Sequence, residues 1–299
     1  MDRQLEISYE ECKRLNALHG KTYYLATLLL PKEKRPAVHA LYGFARYADE
    51  IVDDLASTLT DQEKADQLRT WGELILRDLK KGESNDLIGR ALVDTVKKYS
   101  IPLEYFEAFM KSMEMDLTVT RYADYSELER YVYGSAVVIG LEMLPILGYS
   151  DARAVEAASA LGTAFQLANF IRDIGEDLER GRIYMPLDEL QRFGVTEEML
   201  FARKLRPEII EAIKFQIARV RRLQEIAEAG IQYLDPISQP CIRAASTPAD
   251  SIDSLEIKFF PREPEWLRGS SKTDRLTSSV MRIENVSRNV IHFLYCMGL

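Results

Sequence analysis

Two aspartates four residues apart, Asp173 and Asp177, close the run Gln166-Leu-Ala-Asn169-Phe-Ile-Arg172-Asp173-Ile-Gly-Glu-Asp177. At 3.6 residues per turn, Gln166, Asn169, Asp173 and Asp177 share one helical face. Carboxylates at i and i+4 repel, and a stripe of amide and acid among Leu167, Phe170, Ile171 and Ile174 is costly to bury without a partner. A divalent cation is the natural partner. Carboxylate oxygens suit Mg²⁺, which keeps several waters and shares its remaining positions with substrate phosphates. A lone Asp-x-x-x-Asp is more often a solvated acidic face, and a second copy is what reverses those odds. Tyr42, Arg46, Asp49 and Asp53 fall at i, i+4, i+7 and i+11, again one face, with Arg46 a turn ahead of Asp49 and able to neutralise part of its charge.

If both acidic faces point into one cavity, each holding Mg²⁺, the ions would bind a diphosphate. Diphosphate leaves poorly until its charge is neutralised, and the metals with Arg46, Arg172 and Arg182 could supply that neutralisation. Departure from an allylic carbon leaves a carbocation. The rest of the cavity must then be apolar, to exclude water, and offer aromatic faces to positive charge. Tyr23, Tyr24, Tyr42, Tyr131 and Phe165 are the candidates, and no nucleophilic side chain is required.

The elements that must position these groups read as helices. Residues 8–30 carry an apolar stripe (Leu15, Leu18, Tyr23, Ala26, Leu29) that stops at Pro31, and Pro36 opens a helix over Ala37–Leu55. Residues 60–81 and 85–99 read as exposed helices without chemistry. From Leu103, a helix bears Phe106, Phe109, Met110 and Met113 at core spacing, with the acid Asp116 just past it. Gly134, Ala136 and Gly140 form a small-residue wall that invites close approach of a second helix or a hydrocarbon tail. Gly181 ends the Asp173 helix, Pro186 closes the turn, and residues 206–233 are helical again. Five of the eleven prolines fall in the last 65 residues, where helical fragments and loops are expected. Without sustained strand alternation or hairpin signals, the fold class is all-α: a single domain over 1–299, a helical bundle around a central cavity.

Composition narrows the function classes. Hydrophobic residues make up 46% and charged residues 29% of the 299-residue chain, and the net charge of -8 argues against a nucleic-acid partner. Cys12, Cys241 and Cys296 show no Cys-x-x-Cys spacing, the three histidines form no metal-spaced pair, and a reducing cytoplasm is expected. The first residues lack the layout of a signal peptide. The longest apolar run, Ala136–Leu147, is broken by Glu142 and Pro145, so the chain is expected to be soluble or at most peripheral to a membrane. No Gly-x-Gly-x-x-Gly or Gly-x-x-x-x-Gly-Lys is present.

Four segments carry a resemblance: His19-Gly-Lys-Thr-Tyr-Tyr-Leu-Ala-Thr-Leu-Leu-Leu-Pro31, Ala40-Leu-Tyr-Gly-Phe-Ala-Arg-Tyr-Ala-Asp-Glu-Ile-Val-Asp-Asp54, Tyr131-Val-Tyr-Gly134, and Gln166 to Pro186 with its Asn-x-x-Arg-Asp and Gly-Arg-x-Tyr-x-Pro. In this order, over about residues 8–245, they resemble the squalene/phytoene synthase family, and most of all its bacterial phytoene synthases. The resemblance implies an isoprenoid-synthase-type bundle that joins two geranylgeranyl diphosphates head to head, through prephytoene diphosphate, to phytoene in carotenoid biosynthesis. It implies Mg²⁺ or Mn²⁺ and no nicotinamide cofactor. By position it makes Asp49 with Asp53, and Asp173 with Asp177, the metal-binding pairs, and Arg46, Arg172 and Arg182 the diphosphate contacts. Gln166 and Asn169 would be polar support, Tyr131 the tyrosine that handles the intermediate, and Thr22, Tyr23 and Tyr42 substrate-binding positions.

After Ala245 the chain departs from the family pattern, because an expected tyrosine is missing and Arg262, Arg268, Lys272 and Arg275 only loosely replace a basic run. Three alternatives stand beside this expectation. Squalene or dehydrosqualene synthesis from farnesyl diphosphate differs mainly in cavity depth; prenyl transfer to an aromatic acceptor would use the same scaffold; a non-catalytic helical protein would merely hold cations or lipid. Peripheral membrane contact follows only from the insolubility of the implied substrate and product, and downstream carotenoid enzymes are the implied partners.

Overall fold

The computed structural model describes residues 2–53 and 59–246, with the backbone of 256–257 and 281–282. Among the described residues the chain is helical, apart from a two-residue antiparallel pairing of Glu256–Ile257 with Met281–Arg282. The all-α expectation holds. The atypical C-terminal stretch, including Arg262, Arg268, Lys272 and Arg275, lies otherwise outside the described residues.

The expected N-terminal helix is two: α1, Arg3–His19, capped by Asp2, and α2, Lys21–Thr27. The break falls at Gly20, where a Cβ would stand 2.7 Å from the Tyr42 ring. The chain turns there because a bulky ring from the next helix occupies that space. Helix α3, Arg35–Asp53, begins a residue ahead of Pro36, which sits in the first turn where its missing N–H costs nothing. Helices α4, Asp61–Lys81, and α5, Leu87–Tyr99, follow. Only the first is amphipathic in the exposed manner expected, since α5 buries Ile88, Ala91, Leu92, Val93 and Val96 against α1 and α3. Helix α6, Leu103–Asp116, packs Phe106, Phe109, Met110 and Met113 into the core as its spacing predicts.

Helix α7, Tyr125–Val132, runs through a π-helical turn, Tyr133–Val137, into α8, Val138–Leu147. The small-residue wall is used for close helix approach. A Cβ on Gly134 would lie 2.2 Å from the Ala108 carbonyl oxygen, and one on Gly162 2.7 Å from that of Ala136. Glu142 and Pro145, which break the apolar run in the sequence, both lie within α8. Pro145 sits in its last turn, and Glu142 is buried. The run Tyr125–Leu147 is thus long and apolar enough to cross a membrane, but 78% of its most apolar window is covered by the rest of the protein, which fits the central helix of a bundle.

Helix α9, Arg153–Arg172, lies at the centre and is largely buried over its C-terminal half. Helix α13, Pro207–Gly230, packs along it most extensively, α8 covers another side, and the π turn a third. The short helices α10, Ile174–Glu179, α11, Leu187–Arg192, and α12, Glu197–Phe201, lead from α9 to α13. A 3₁₀ turn, Ile231–Tyr233, and α14, Gln239–Ser246, which packs on α2, end the described bundle.

Candidate active site

The first acidic face is built by α3. Its inner residues Tyr42, Ala45, Ala48 and Asp49 are buried, and Asp49 is only 4% exposed. Arg46 provides the internal neutralisation anticipated: Nη1 donates to Asp49 Oδ2 at 3.0 Å and Nε to Glu50 Oε1 at 3.1 Å. Asp53 is the last residue of α3, one turn beyond Asp49; its side chain lies outside the described residues, as does that of Thr22.

The second face is not one uninterrupted helix. Helix α9 ends at Arg172, Asp173 caps it, and α10 begins at Ile174. Asp173 nevertheless keeps near-helical geometry (φ -99, ψ 12), its N–H donates to the Asn169 carbonyl at 2.8 Å, and the Asp177 N–H donates to the Asp173 carbonyl at 2.9 Å. The i, i+4 relation of the two acids therefore survives the break. Arg172 grips Asp173 with two parallel bonds, Nε to Oδ1 at 2.7 Å and Nη2 to Oδ2. Burial, reinforced by the charge of Asp173, pushes the Asp177 carboxyl well above the usual range, against the opposing pull of Arg180 and Arg182. A carboxyl whose charged form is disfavoured by burial and by a neighbouring acid belongs to a donor set that a divalent cation suits. No group of three His, Cys, Asp or Glu side chains is gathered as a metal cage among the described residues. Each pair would therefore supply two protein ligands and leave the rest to water and phosphate, as Mg²⁺ sites commonly do.

Gln166 and Asn169 are buried beside this face, linked through long contacts: Gln166 Nε2 to Ser135 Oγ at 3.3 Å and Asn169 Nδ2 to Gln166 Oε1 at 3.4 Å. Arg182 and Tyr131 meet at Asp116, a residue whose part spacing alone did not disclose. Arg182 Nη2 donates to the Asp116 carbonyl oxygen at 2.5 Å, while the hydroxyls of Tyr131 and Tyr184 donate to its Oδ2 and Oδ1 at 2.8 and 3.2 Å. Burial holds both phenols well above their ordinary pKa, so they stay protonated and remain donors. Tyr184 stacks on Phe170 with ring centroids 4.1 Å apart and lies 5.8 Å from the Tyr131 ring. Tyr184 is the tyrosine of the Gly-Arg-x-Tyr-x-Pro motif, the one signal that could have singled it out.

An apolar cavity of about 100 Å³ runs between α8, α9, α13 and α14. Phe165, Ile139, Gly140, Ala158, Met143 and Leu147 are part of its wall, and Tyr23 is its one tyrosine. Two junctions connect it to the polar faces. Tyr23 stacks on Tyr42, 5.9 Å between centroids, one turn before Arg46, and Phe165 immediately precedes Gln166. Tyr24 is turned to the opposite side, where it stacks on His39 at 5.7 Å. Tyr131 does not line the cavity; it belongs to the Asp116 cluster.

The chain is similar to known proteins over most of its length. Phytoene synthase 2, chloroplastic, of Oryza sativa subsp. japonica is 38% identical over 260 residues; the match takes in 85% of this chain but spans only 64% of the rice protein. A phytoene synthase of Arthrospira platensis is 36% identical over 263 residues, 83% of this chain and 84% of that one. The crystal structure of a dehydrosqualene synthase in complex with ligand superposes with a TM-score of 0.73 at 27% identity, covering 83% of this chain and 84% of the other. The sequence pattern described as Squalene/phytoene synthase matches residues 17–253, which include both acidic pairs, Tyr131 and the Arg182 motif, and the chain belongs to that family.

Proposed function

We propose that the protein is a prenyltransferase that condenses two geranylgeranyl diphosphates head to head, through the cyclopropyl intermediate prephytoene diphosphate, to phytoene. The observation that carries this is the junction of an apolar cavity with two arginine-braced acidic faces, through Tyr23–Tyr42 on one side and Phe165–Gln166 on the other. Relatives named phytoene synthase, 36–38% identical, support geranylgeranyl over farnesyl diphosphate more than the solved dehydrosqualene synthase at 27% supports the reverse.

Asp49 and Asp53 would hold one Mg²⁺ or Mn²⁺ and Asp173 and Asp177 another, with the bound ions drawing charge from the departing diphosphate. The chain's own residues then have separate tasks. Arg46 and Arg172 hold the carboxylates of Asp49 and Asp173 in place, and Arg182, held by the Asp116 carbonyl, directs its guanidinium to the rim of the second pair. Tyr23, Phe165 and the aliphatic wall exclude water from an allylic cation, and Tyr23 and Phe165 offer it aromatic faces. Asp116 takes the hydroxyl protons of Tyr131 and Tyr184 in hydrogen bonds, which fixes both rings beside Phe170. Contact with a membrane surface and with carotenoid enzymes that consume phytoene belongs to the same proposal.

Incubation of the purified protein with geranylgeranyl diphosphate and Mg²⁺ is expected to release diphosphate and yield a C40 hydrocarbon, without reductant. Chelation should stop both, and Mg²⁺ or Mn²⁺ should restore them. Unchanged substrate, or turnover confined to farnesyl diphosphate, would overturn the assignment.

A further inference from the structure

Asp173 is a joint between two helices. Helix α9 ends before it and α10 begins after it, so where Asp177 stands relative to Asp173 depends on how α10 is held. The charge of Asp173 works against ionisation of Asp177. A free joint would let α10 turn and part the two groups.

Two guanidinium groups tie α10 at its two ends. Arg203 Nη2 donates to the Gly175 carbonyl in the first turn, and its Nη1 donates to Glu179 Oε1 at 2.9 Å one turn later. Arg121 Nη1 donates to the carbonyl of Gly181, just past the helix, at 2.5 Å. Helix α12 is the strut between these ties. Glu197 in its first turn accepts from Arg121 Nε at 2.9 Å, the Arg121 guanidinium lies over the Phe201 ring at 5.5 Å, and Arg203 follows its end. Gly175 and Glu179 share one face of α10, and Asp177 lies about 160° around the helix from each, so Arg203 grips α10 from behind the carboxylate. Its backbone marks the same task. Arg203 closes α12 in the left-handed region, φ 53, its N–H donating to the Leu200 carbonyl at 3.0 Å. Glycine takes that conformation freely, whereas arginine takes it at a cost that its bonds to α10 offset. We propose that α12 and its two arginines form a brace that sets the spacing of Asp177 from Asp173, with Arg203 as a positioning residue of the second acidic pair. The inference rests on Asp173 and Asp177 holding a cation, as proposed above.

The test follows thermal unfolding in saturating inorganic diphosphate while Mg²⁺ is titrated, and reads the Mg²⁺ concentration that gives half of the maximal rise in melting temperature. Arg203→Gly suits the left-handed backbone and removes both bonds to α10. It should need about tenfold more Mg²⁺ than the wild type, the scale on which groups that orient metal ligands act. The melting temperature without Mg²⁺, read from the same scans, registers a merely structural role. A requirement raised by less than about threefold, whatever the unliganded melting temperature, would overturn the brace. Arg203→Lys keeps the charge but puts one ammonium where a planar fork spans two acceptors, and its requirement should rise about threefold. A lysine variant equal to the wild type beside a weakened glycine variant would reduce Arg203 to its charge and overturn the proposal. Where Arg203→Gly loses cooperative unfolding, Arg203→Lys alone decides, and an unchanged requirement overturns the brace. A wild-type protein whose melting temperature does not respond to Mg²⁺ with diphosphate would refute the metal reading of Asp173 and Asp177 itself, and the brace with it.

Discussion

Glu142 is the residue on which the electrostatics of this fold can be tested most directly. It is 2% exposed in the middle of α8, its Oε1 finds no hydrogen-bond partner among the described residues, and burial alone raises its carboxyl well above the ordinary range. An acid whose pKa is raised on folding binds a proton more tightly in the folded state. Its stability contribution is intact below the unfolded value of about 4.3 and is lost as the pH climbs from there towards the folded value. Within that window the loss is about 1.4 kcal/mol per pH unit. For a chain of this size it corresponds to about 3 °C of melting temperature per unit. Glu142→Gln keeps the shape and cannot ionise. Near pH 4.5 the two proteins should melt within a few degrees of each other, and the advantage of the variant should widen on going to neutral pH. Thermal unfolding followed by circular dichroism across that range supplies the comparison. A gap independent of pH, or one that closes as the pH rises, would show that Glu142 is charged and partnered in the folded protein.

Two further outcomes are expected. Gly134→Ala places a methyl group 2.2 Å from both the Ala108 carbonyl oxygen and Ser112 Oγ, so α6 and the π turn must separate; a destabilisation of about 1–3 kcal/mol is expected in urea unfolding, and a neutral result would refute the close approach. Mg²⁺ with inorganic diphosphate should raise the melting temperature of the wild-type protein by linkage, and Asp177→Asn should lose most of that rise while keeping its helical spectrum; an equal rise in both would remove Asp177 from the metal site.

Much of the site was legible because it is periodic. Arg46, Asp49, Asn169, Asp173 and Asp177 stand at helical spacings, and Phe106, Phe109, Met110 and Met113 mark a core stripe in the same way. Contacts between distant segments were not legible. Nothing local to Gly20 announces that the Tyr42 ring will fill the space beside it, and α5, with charges spread among its apolar residues, is buried because α1 and α3 close over it. Glu142 illustrates the reverse failure: a charged residue ordinarily marks an exposed position, and here the surrounding helices impose burial on it. Asp116 stood alone in sequence, and only folding brings Tyr131, Arg182 and Tyr184 to it from 15, 66 and 68 residues away.

The π turn at Tyr133–Val137 holds one residue more than an α-helical path over the same span would need. Such a turn behaves as an insertion absorbed within a helix, and it sets the phase between what lies before it and what lies after. Tyr131 on the upstream side reaches Asp116, while Ile139, Gly140 and Met143 downstream face the cavity. Deleting a single residue within it would let the hydrogen bonds revert to the α pattern with the two halves in nearly the same phase, whereas deleting one from the regular helix on either side would rotate them by about 100° relative to each other. The protein's ability to present a phenol cluster and a hydrocarbon wall from one continuous rod thus depends on a length, and a one-codon deletion in the flanking helix should be far less tolerable than one within the turn.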